Sequence, residues 1–447
     1  MDRFVRADGE RSYYTHGHIF VFGLPGKLMH TVFAAAVVTI MLTGCAPAGQ
    51  RAANRSETGS TRTAAVERGP GLAPQSPSAT IPTKDGALRV ERLAVLDEPW
   101  GMAYLPDGRL LITEKPGRLR LYHDGKLSTP VAGVPAVAYF GQGGLLDVVV
   151  DPSFATNQLI YLSYAEAVVP QPSGVRETVE PRLAAFQRME DQELKGGAVA
   201  RGRFDGRVLR DVEVIWRQVP KTVGRGHFSG RLEFAPDSTL LIASSDRMRF
   251  EPAQDLTSNL GKIVRINRDG SAPRDNPFVT QGGARPEIWS MGHRNIAGMA
   301  FQPGTQRLWS VEFGPKGGDE LNIITKGGNY GWPLVNDGLN YDDSPIPHHA
   351  TRPEFVRFVR SWTPVISPGH LMFYTGAQFP QWQRNAFVSG LSSQAIIRLT
   401  IEGEKVTSEE VIPMGRRIRT ILQGRDGSLL VLSESPNAEL LRITPAR

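Results

Sequence analysis

The sequence has a single cysteine, Cys45, among its 447 residues. An intramolecular disulfide is therefore impossible, and a zinc site built on several cysteines is excluded. Clusters of basic residues are missing too: the formal net charge is +6, but the lysines and arginines are scattered along the chain. Because nucleic-acid-binding domains concentrate basic side chains on one face or in one run, this distribution argues against such a partner.

Long hydrophobic runs are also scarce, and the most prominent one lies near the N-terminus, at residues 31–43 (TVFAAAVVTIMLT). It is too short for a comfortable membrane span and is followed by Gly44 and Cys45, which is typical of a secretory signal peptide. Residues 42–45 (LTGC) resemble the bacterial lipoprotein box, whose cysteine becomes lipidated. We therefore expect a signal peptide over residues 1–44 and lipidation of Cys45 on the periplasmic side of a bacterial membrane. An ordinary signal peptide beside a buried free thiol is the alternative.

Residues 45–88 are rich in Ala, Gly, Pro, Ser and Thr and contain few large apolar residues. Such a segment buries too little apolar surface to offset the entropy lost on ordering, so we predict a flexible tether. From residue 89 to residue 447 the chain changes to short apolar runs separated by Pro, Asp and Gly, without the 3.6-residue periodicity of amphipathic helices. This region is predicted to be all-β.

One pattern recurs six times in this region: an apolar strand, a turn rich in Pro, Asp and Gly, and a second apolar strand. A hairpin of this kind cannot bury both faces alone, and the spacing leaves room for two more strands per copy, which favours a six-bladed β-propeller. Residues 93–96 are expected to complete the last blade, and the long insertion between Tyr164 and His227 to supply outer strands and loops of the second. The copies begin at Gly101, Gly144, Gly230, Gly298, His370 and Arg419.

Polar residues in the loops before the inner strands of a propeller meet at one end of the central channel, although they are far apart in sequence. His227 precedes the third copy in a glycine-flanked loop, where an imidazole that titrates near neutrality can act as a general base; a loop histidine bonded to backbone is the alternative. Arg417 and Arg419 alternate along a strand and so would both point at the channel; an exposed basic strand is the alternative.

Four motifs then point to a family: GHRN at residues 292–295, FGP at 313–315, DELN at 319–322 and KGGNYGWP at 326–333. Together and in this order they resemble the soluble dehydrogenases of glucose and other aldose sugars that depend on pyrroloquinoline quinone (PQQ), the glucose/sorbosone dehydrogenase family. The resemblance extends over roughly residues 90 to 445.

The resemblance implies oxidation of aldose sugars at the anomeric carbon to lactones, with PQQ as hydride acceptor and calcium making the quinone more electrophilic. His227 would be the general base, and Asp246 would orient it. Asp147 would anchor a loop. The residues implied to bind the cofactor are Gln142, Arg294, Asn295, Arg417 and Arg419. Those implied at calcium are Gly314 and Pro315, through their carbonyls, with Asp319 and Glu320 in support.

One position departs from the family pattern. Ser392 stands where the family's well-studied members carry a lysine that pairs with the quinone, so cofactor binding would be weaker here or met differently, with help from Arg416 as one way. Electrons would leave to a membrane quinone or a small redox carrier. Two other functions stay open: a non-catalytic propeller that binds sugar or protein, and a calcium-dependent lactonase-like hydrolase, which would need a carboxylate-rich metal cage.

Overall fold

The computed structural model describes residues 78–176, 180–183 and 191–446. Within these ranges the chain forms six antiparallel sheets arranged as a six-bladed β-propeller, which confirms the predicted fold. The predicted signal peptide, Cys45 and most of the predicted tether lie outside the described residues.

Two strands, β1 (Ser78–Thr83) and β2 (Gly86–Leu96), precede the first of the six repeats. They pair as an antiparallel hairpin in which Ile81 and Leu88 are buried. Strands therefore occupy described residues before position 88, and the predicted tether boundary at residue 88 lies too far along the chain. The segment looks unstructured in sequence because it contains so few large apolar residues, and their packing partners come from distant strands near the C-terminus.

Each of the next five blades contains four consecutive strands, of which the first is the innermost. Blade 2 takes its third and fourth strands from the long insertion between Tyr164 and His227, as predicted. The strands of blades 1 to 5, in chain order, are β3 (Pro99–Tyr104), β4 (Leu110–Glu114), β5 (Arg118–His123), β6 (Lys126–Leu127); β7 (Leu145–Val150), β8 (Leu159–Ala167), β9 (Lys195–Phe204), β10 (Leu209–Arg217); β11 (Ser229–Phe234), β12 (Leu240–Ser244), β13 (Lys262–Ile266), β14 (Ile288–Met291); β15 (Ile296–Phe301), β16 (Leu308–Glu312), β17 (Asp319–Ile324), β18 (Arg360–Trp362); and β19 (Pro368–Phe373), β20 (Ala386–Gly390), β21 (Ala395–Glu402), β22 (Lys405–Pro413).

The sixth blade closes the ring by joining the two ends of the described chain. It contains β23 (Ile418–Gln423), β24 (Leu429–Ser433) and β25 (Ala438–Pro445), followed in the sheet by β2 and β1. β2 pairs antiparallel with β25 along almost its whole length, so the predicted closure by residues 93–96 is confirmed and extends further. Closure of this kind pairs the edge of β25 that would otherwise be free.

Helical structure is confined to short turns in the described part of the chain. One α-helical turn, α1, spans Phe154–Asn157, and four 3-10 turns cover Pro181–Leu183, Glu251–Gln254, His349–Thr351 and Pro380–Trp382. Among the described residues no helix is long and apolar enough to cross a membrane.

Apolar side chains pack between neighbouring blades instead of into one central core. Separate clusters fill each of the six interfaces, and the inner strands touch in the cyclic order β3, β7, β11, β15, β19, β23 and back to β3. Trp309 of blade 4, for instance, meets Phe373 of blade 5 edge to face at 6.2 Å between ring centroids. Each sheet thus buries its faces against its two neighbours.

Arg231 on β11 links the inner strands of all six blades. Its side chain is buried and contacts at least one residue in each of the other five blades. The partners are the Trp100 ring, 3.8 Å from the guanidinium carbon; Asp147 Oδ1, 3.5 Å from Nη1; the Ala297 carbonyl, 2.7 Å from Nε; and, from Nη2, the Gly369 carbonyl at 2.7 Å and Thr420 Oγ1 at 2.9 Å. The guanidinium can serve this role because its planar fork offers donors in several fixed directions.

Two glycines on inner strands allow the inner strands of neighbouring blades to pack close together. A Cβ atom on Gly101 would overlap the Asp147 carboxylate, and one on Gly298 would overlap the backbone of Leu371 in the next blade. The recurring glycine near the start of the sequence repeats therefore marks close contact between neighbouring inner strands.

The repeat gives the propeller two unlike ends. Each inner strand starts at one end, and the second strand returns to it, so the loops before first strands and after second strands gather there; we call it the cavity end. The turns between first and second strands lie at the opposite, or turn, end. This geometry decides which loop residues can meet.

Candidate active site

A cavity of about 300 Å³ opens at the cavity end. This volume lies at the lower limit of typical small-molecule sites. Its walls come from the loops before the first strands and after the second strands of several blades. The lining residues are Trp100, Lys115, Gly141, Gln142, Phe228, Ser229, Asn295, Ile296, Ala297, Phe313, Ser367, Leu391, Arg417, Arg419 and Glu434.

His227 and Asp246 form a buried pair beside this cavity. Nδ1 of His227 lies 2.6 Å from Oδ1 of Asp246, and both side chains are almost fully buried. The carboxylate is fixed in turn, because Oδ1 accepts the Met248 N–H at 2.9 Å and Oδ2 accepts the Trp332 indole N–H at 2.8 Å. With Nδ1 protonated toward Asp246, Nε2 of His227 is left as the proton acceptor.

The backbone of His227 is held in an unusual conformation. Its φ is 50°, in the left-handed region that non-glycine residues seldom adopt. Gln142 from blade 2 accepts the His227 N–H through Oε1 at 2.7 Å, and Ser245 donates its hydroxyl to the His227 carbonyl. Contacts on both sides therefore impose this conformation, as is common where a reactive side chain must be aimed.

The charges around the pair favour a neutral imidazole and an ionised carboxylate. Burial lowers the pKa of His227 below its ordinary value; Asp246 opposes this effect, while the positive charges of Arg294 and Arg247 add to it. Burial acts to raise the pKa of Asp246, but its interactions with His227, Arg294 and the Met248 N–H outweigh that effect, and its pKa lies below the usual range. The histidine can thus take up a proton at neutral pH.

Arg417 and Arg419 both line the cavity, as their alternation predicts. Each binds one oxygen of Glu434: Nε of Arg417 lies 2.6 Å from Oε2, and Arg419 donates to Oε1. Burial acts to raise the pKa of Glu434, but the two guanidinium groups outweigh it and lower the pKa to about 2. The carboxylate therefore stays ionised and holds both arginines at the cavity wall.

Asn295 reaches the cavity, but Arg294 beside it does not. The amide oxygen of Asn295 is buried and has no hydrogen-bond partner within the described chain. The Arg294 guanidinium points to the FGP loop, where Nη1 donates to the carbonyls of Phe313 at 3.2 Å and Gly314 at 2.9 Å. Nε of Arg294 is buried and has no hydrogen-bond partner among the described residues.

The loop implied to bind calcium is held by protein groups. Gly314 donates its N–H to Asp319 Oδ1 at 2.8 Å, and the other oxygen of Asp319 accepts the Ser367 N–H at 2.7 Å. Burial raises the pKa of Asp319 to about 6. Pro315 is buried in the same loop. Among the described residues, no three His, Cys, Asp or Glu side chains are grouped so as to hold a metal ion.

Glu320 belongs to a separate buried network. Its Oε1 accepts from Asn336 at 2.9 Å and lies 3.3 Å from Nε2 of His349, while Oε2 accepts from Asn322 at 3.2 Å. Burial raises the pKa of Glu320. None of these side chains lines the cavity. The two acidic residues of the DELN motif thus support different parts of the structure.

Three other predicted positions have structural partners. Ser392 donates its hydroxyl to the Val365 carbonyl at 3.1 Å, and only its neighbour Leu391 lines the cavity. Arg416 pairs with Glu439, and its position outside the cavity lining gives no support to the suggestion that it replaces a cofactor-binding lysine. Asp147 accepts the Leu232 N–H at 3.1 Å and so joins blades 2 and 3.

The comparisons with known proteins bear on this site. The profile of the Glucose / Sorbosone dehydrogenase family matches residues 96–442. The chain belongs to the glucose/sorbosone dehydrogenase family. This result confirms the family predicted from the four motifs, and with it the assignment of the chain to the sugar dehydrogenases. The matched range covers the propeller from the end of β2 to within β25.

Relatives within the family share both sequence and fold. The chain is 40% identical to the aldose sugar dehydrogenase YliI of Escherichia coli (strain K12) over 360 residues, which cover 78% of this chain and 91% of the relative. The solved apo-form of the soluble aldose sugar dehydrogenase from Escherichia coli superposes with a TM-score of 0.72 at 38% identity, covering 80% of this chain and 100% of that one. The PQQ-bound aldose sugar dehydrogenase of Streptomyces coelicolor gives a TM-score of 0.61 at 25% identity, covering 81% and 99%.

The sequence-based prediction missed two charged residues of this family member's cavity, Lys115 and Glu434. Both directly follow the second strand of a repeat, Lys115 after β4 and Glu434 after β24. Phe313 and Leu391 occupy the same place after β16 and β20 and also line the cavity. Alignment of the six repeats on their second strands would have found these positions.

Proposed function

We propose that the chain oxidises aldose sugars at the anomeric carbon to lactones, with PQQ as hydride acceptor and His227 as general base. The observation that carries this proposal is the buried pair of His227 and Asp246 next to a cavity lined by Gln142 and Phe228, which bond to or adjoin His227, and by Arg417 and Arg419. A base that is neutral at pH 7 and a wall that attracts carboxylates are the two features that such a reaction requires.

The cavity residues fit a planar quinone with three carboxylates. Arg417, Arg419 and Lys115 bring three positive charges to the wall against the one negative charge of Glu434, and guanidinium groups bind carboxylates through paired, charge-assisted hydrogen bonds. The buried Asn295 amide oxygen, which lacks a partner within the described residues, is ready to accept a hydrogen bond from a ligand N–H. Relatives named as quinoprotein and PQQ-bound dehydrogenases support the same choice of cofactor.

Bound PQQ would supply the electrophile that accepts hydride from the anomeric carbon. His227 would take the hydroxyl proton on Nε2 while the C–H bond breaks and the carbon–oxygen double bond of the lactone forms. Asp246 would stabilise the resulting imidazolium, because its ionised carboxylate already accepts from Nδ1. Gln142 and Ser245 would keep the histidine aimed at the substrate.

Calcium belongs to the proposal as an ion bound together with the cofactor, and the residues fit it only in part. The Gly314 carbonyl has the right chemistry, but it already accepts a hydrogen bond from Arg294. Calcium takes six to eight oxygen ligands, so the carbonyls of Gly314 and Pro315 would need ligands from the cofactor and water. No step of the proposed reaction depends on this ion.

The test is calorimetric titration of the purified full-length chain with PQQ, in calcium and again in EDTA, followed by dye-linked oxidation of glucose. We expect saturable binding that weakens in EDTA, and activity that falls about 10²- to 10⁴-fold in His227→Ala, since general-base catalysis contributes that much. The variant should still bind PQQ. Failure of the unmodified chain to bind PQQ at tens of micromolar would refute the proposal.

The two alternative functions remain distinguishable in the same assay. A non-catalytic propeller would bind sugar or protein without PQQ-dependent turnover. A calcium-dependent lactonase would open lactones in the absence of PQQ; the described residues place no cluster of acidic side chains at the cavity for such a metal site. Dye reduction that requires both PQQ and an aldose would exclude both.

We also propose that the protein is attached to the periplasmic side of a bacterial membrane through lipidated Cys45 and passes electrons to a membrane quinone or a small redox carrier. The sequence of residues 31–45 supports the attachment. Labelled palmitate should be incorporated in cells, and Cys45→Ala should abolish both labelling and membrane fractionation. Labelling that persists in the variant would refute it.

A further inference from the structure

We propose that Lys115 is a cofactor-binding residue: its ammonium group would bind a carboxylate of the quinone from the blade 1 side of the cavity. The inference rests on the proposed function, since it assigns a further residue to the same bound ligand. Lys115 lines the cavity from the loop after β4. Arg417 and Arg419 line it from blade 6, so the three cations stand on neighbouring blades.

The side chain of Lys115 is held in place but has donor capacity left. Nζ lies 2.7 Å from Oε2 of Glu98 and donates to the Gly141 carbonyl at 3.0 Å. An ammonium group has three N–H donors, and these two contacts are its hydrogen bonds to the described residues. One donor therefore remains for a ligand.

The surroundings fix Lys115 further. Glu98 accepts a hydrogen bond from the Tyr139 hydroxyl at 2.6 Å, and the Lys115 ammonium lies 5.7 Å from the centre of the Tyr139 ring. Only 18% of the Lys115 side chain is exposed. An ordinary surface lysine is mobile and solvated, whereas this one is preorganised at a cavity wall, so a carboxylate would bind it without paying for its ordering.

Lys115 also answers the question raised by Ser392. The Ser392 hydroxyl donates a hydrogen bond to the Val365 carbonyl, and Ser392 does not line the cavity. The ammonium group of Lys115 in blade 1 would neutralise a cofactor carboxylate in place of a lysine at position 392 in blade 5. The two positions can therefore be exchanged in an experiment.

The test measures PQQ binding by calorimetry at two salt concentrations, in the full-length chain and in Lys115→Met, Lys115→Arg and the double variant Lys115→Met/Ser392→Lys. Loss of a hydrogen bond to a charged group should weaken binding about 10- to 100-fold in Lys115→Met. Lys115→Arg should retain most of the affinity, and the double variant should regain part of it. The salt dependence of the dissociation constant should become shallower in Lys115→Met, because one charge contact is gone.

Lys405→Met serves as the matched control, since Lys405 is exposed at the start of β22, and thermal unfolding of each variant shows that it is folded. If the unmodified chain fails to bind PQQ, the proposed function fails. If it binds PQQ and Lys115→Met binds equally well with the same salt dependence, only the assignment of Lys115 is overturned.

Discussion

At the turn end of the propeller, aspartates accept backbone N–H groups two positions along the chain, whereas at the cavity end polar groups are also held by other blades. Asp107 and Asp426 at the turn end accept backbone N–H groups from Arg109 and Ser428, each at 3.0 Å. At the cavity end, His227 of blade 3 is held by Gln142 of blade 2. The same repeat thus produces turns whose aspartates bond locally on one side and a polar site shared between blades on the other.

The difference shows where a propeller can acquire chemistry. A turn aspartate that satisfies its own backbone has little left to offer a ligand, because its acceptor atoms are occupied locally. Groups on converging loops must be satisfied by other blades, so changing one of them changes its neighbours. Four substitutions test this contrast.

Asp246→Asn should have the largest effect and should act on catalysis. The amide removes the negative charge that stabilises protonated His227, so turnover should fall about 10²- to 10⁴-fold. The pKa of His227 already lies below its ordinary value because of burial, and loss of the carboxylate should lower it further. The acid limb of the rate profile should therefore begin below pH 6.5 in the unmodified chain and move to still lower pH in the variant. An acid limb that moves upward would contradict the assigned pair.

Arg231→Met should have the next largest effect, on the stability of the ring. It leaves the buried Asp147 carboxylate without its charged partner, which should lower the free energy of unfolding by about 3–5 kcal/mol. Chemical denaturation is the measurement, with Arg231→Lys as the control that keeps the charge but loses the planar fork. Equal stability of the unmodified chain and the Met variant would show that the ring does not depend on this side chain.

Glu233→Gln should change how stability depends on pH. Burial raises the pKa of Glu233 to about 8, with the negative charge of Asp147 acting in the same direction. The folded state therefore keeps a proton that the unfolded state releases, and this stabilisation is full below about pH 4.5 and lost as pH rises through about 8. Relative to the unmodified chain, the Gln variant should gain stability between pH 5 and pH 9. Parallel melting curves across this range would refute the prediction.

Asp107→Ala should have the smallest effect, because the hydrogen bonds of Asp107 go to Arg109 in its own turn. Loss of its bonds to Arg109 should lower the free energy of unfolding by about 0.5–1.5 kcal/mol and leave ligand binding unchanged. Asp107→Asn is the matched control, since its amide oxygen can still accept the Arg109 N–H. A clear loss of PQQ affinity in the Ala variant would break the contrast between the two ends.

A structural feature could be predicted when the residues that determine it lie close together in the sequence. Alternating apolar residues and Pro, Asp and Gly turns act within one hairpin, so six repeats could be counted and the all-β propeller inferred. The hairpin of β1 and β2 was missed because its apolar partners lie on strands near the other end of the chain. Arg294 was expected in the cavity, but two carbonyls of the FGP loop bind its guanidinium.

The sequence by itself determined the repeat and the family, because each hairpin and each motif rests on residues close together along the chain. Only the tertiary structure decided which polar side chains meet. Lys115 and Glu434 carry no recognisable motif, and they reach the cavity because second strands return to the end where first strands begin. Whether a charged loop residue is a turn, an ion pair or part of a site is settled by what the other blades place beside it.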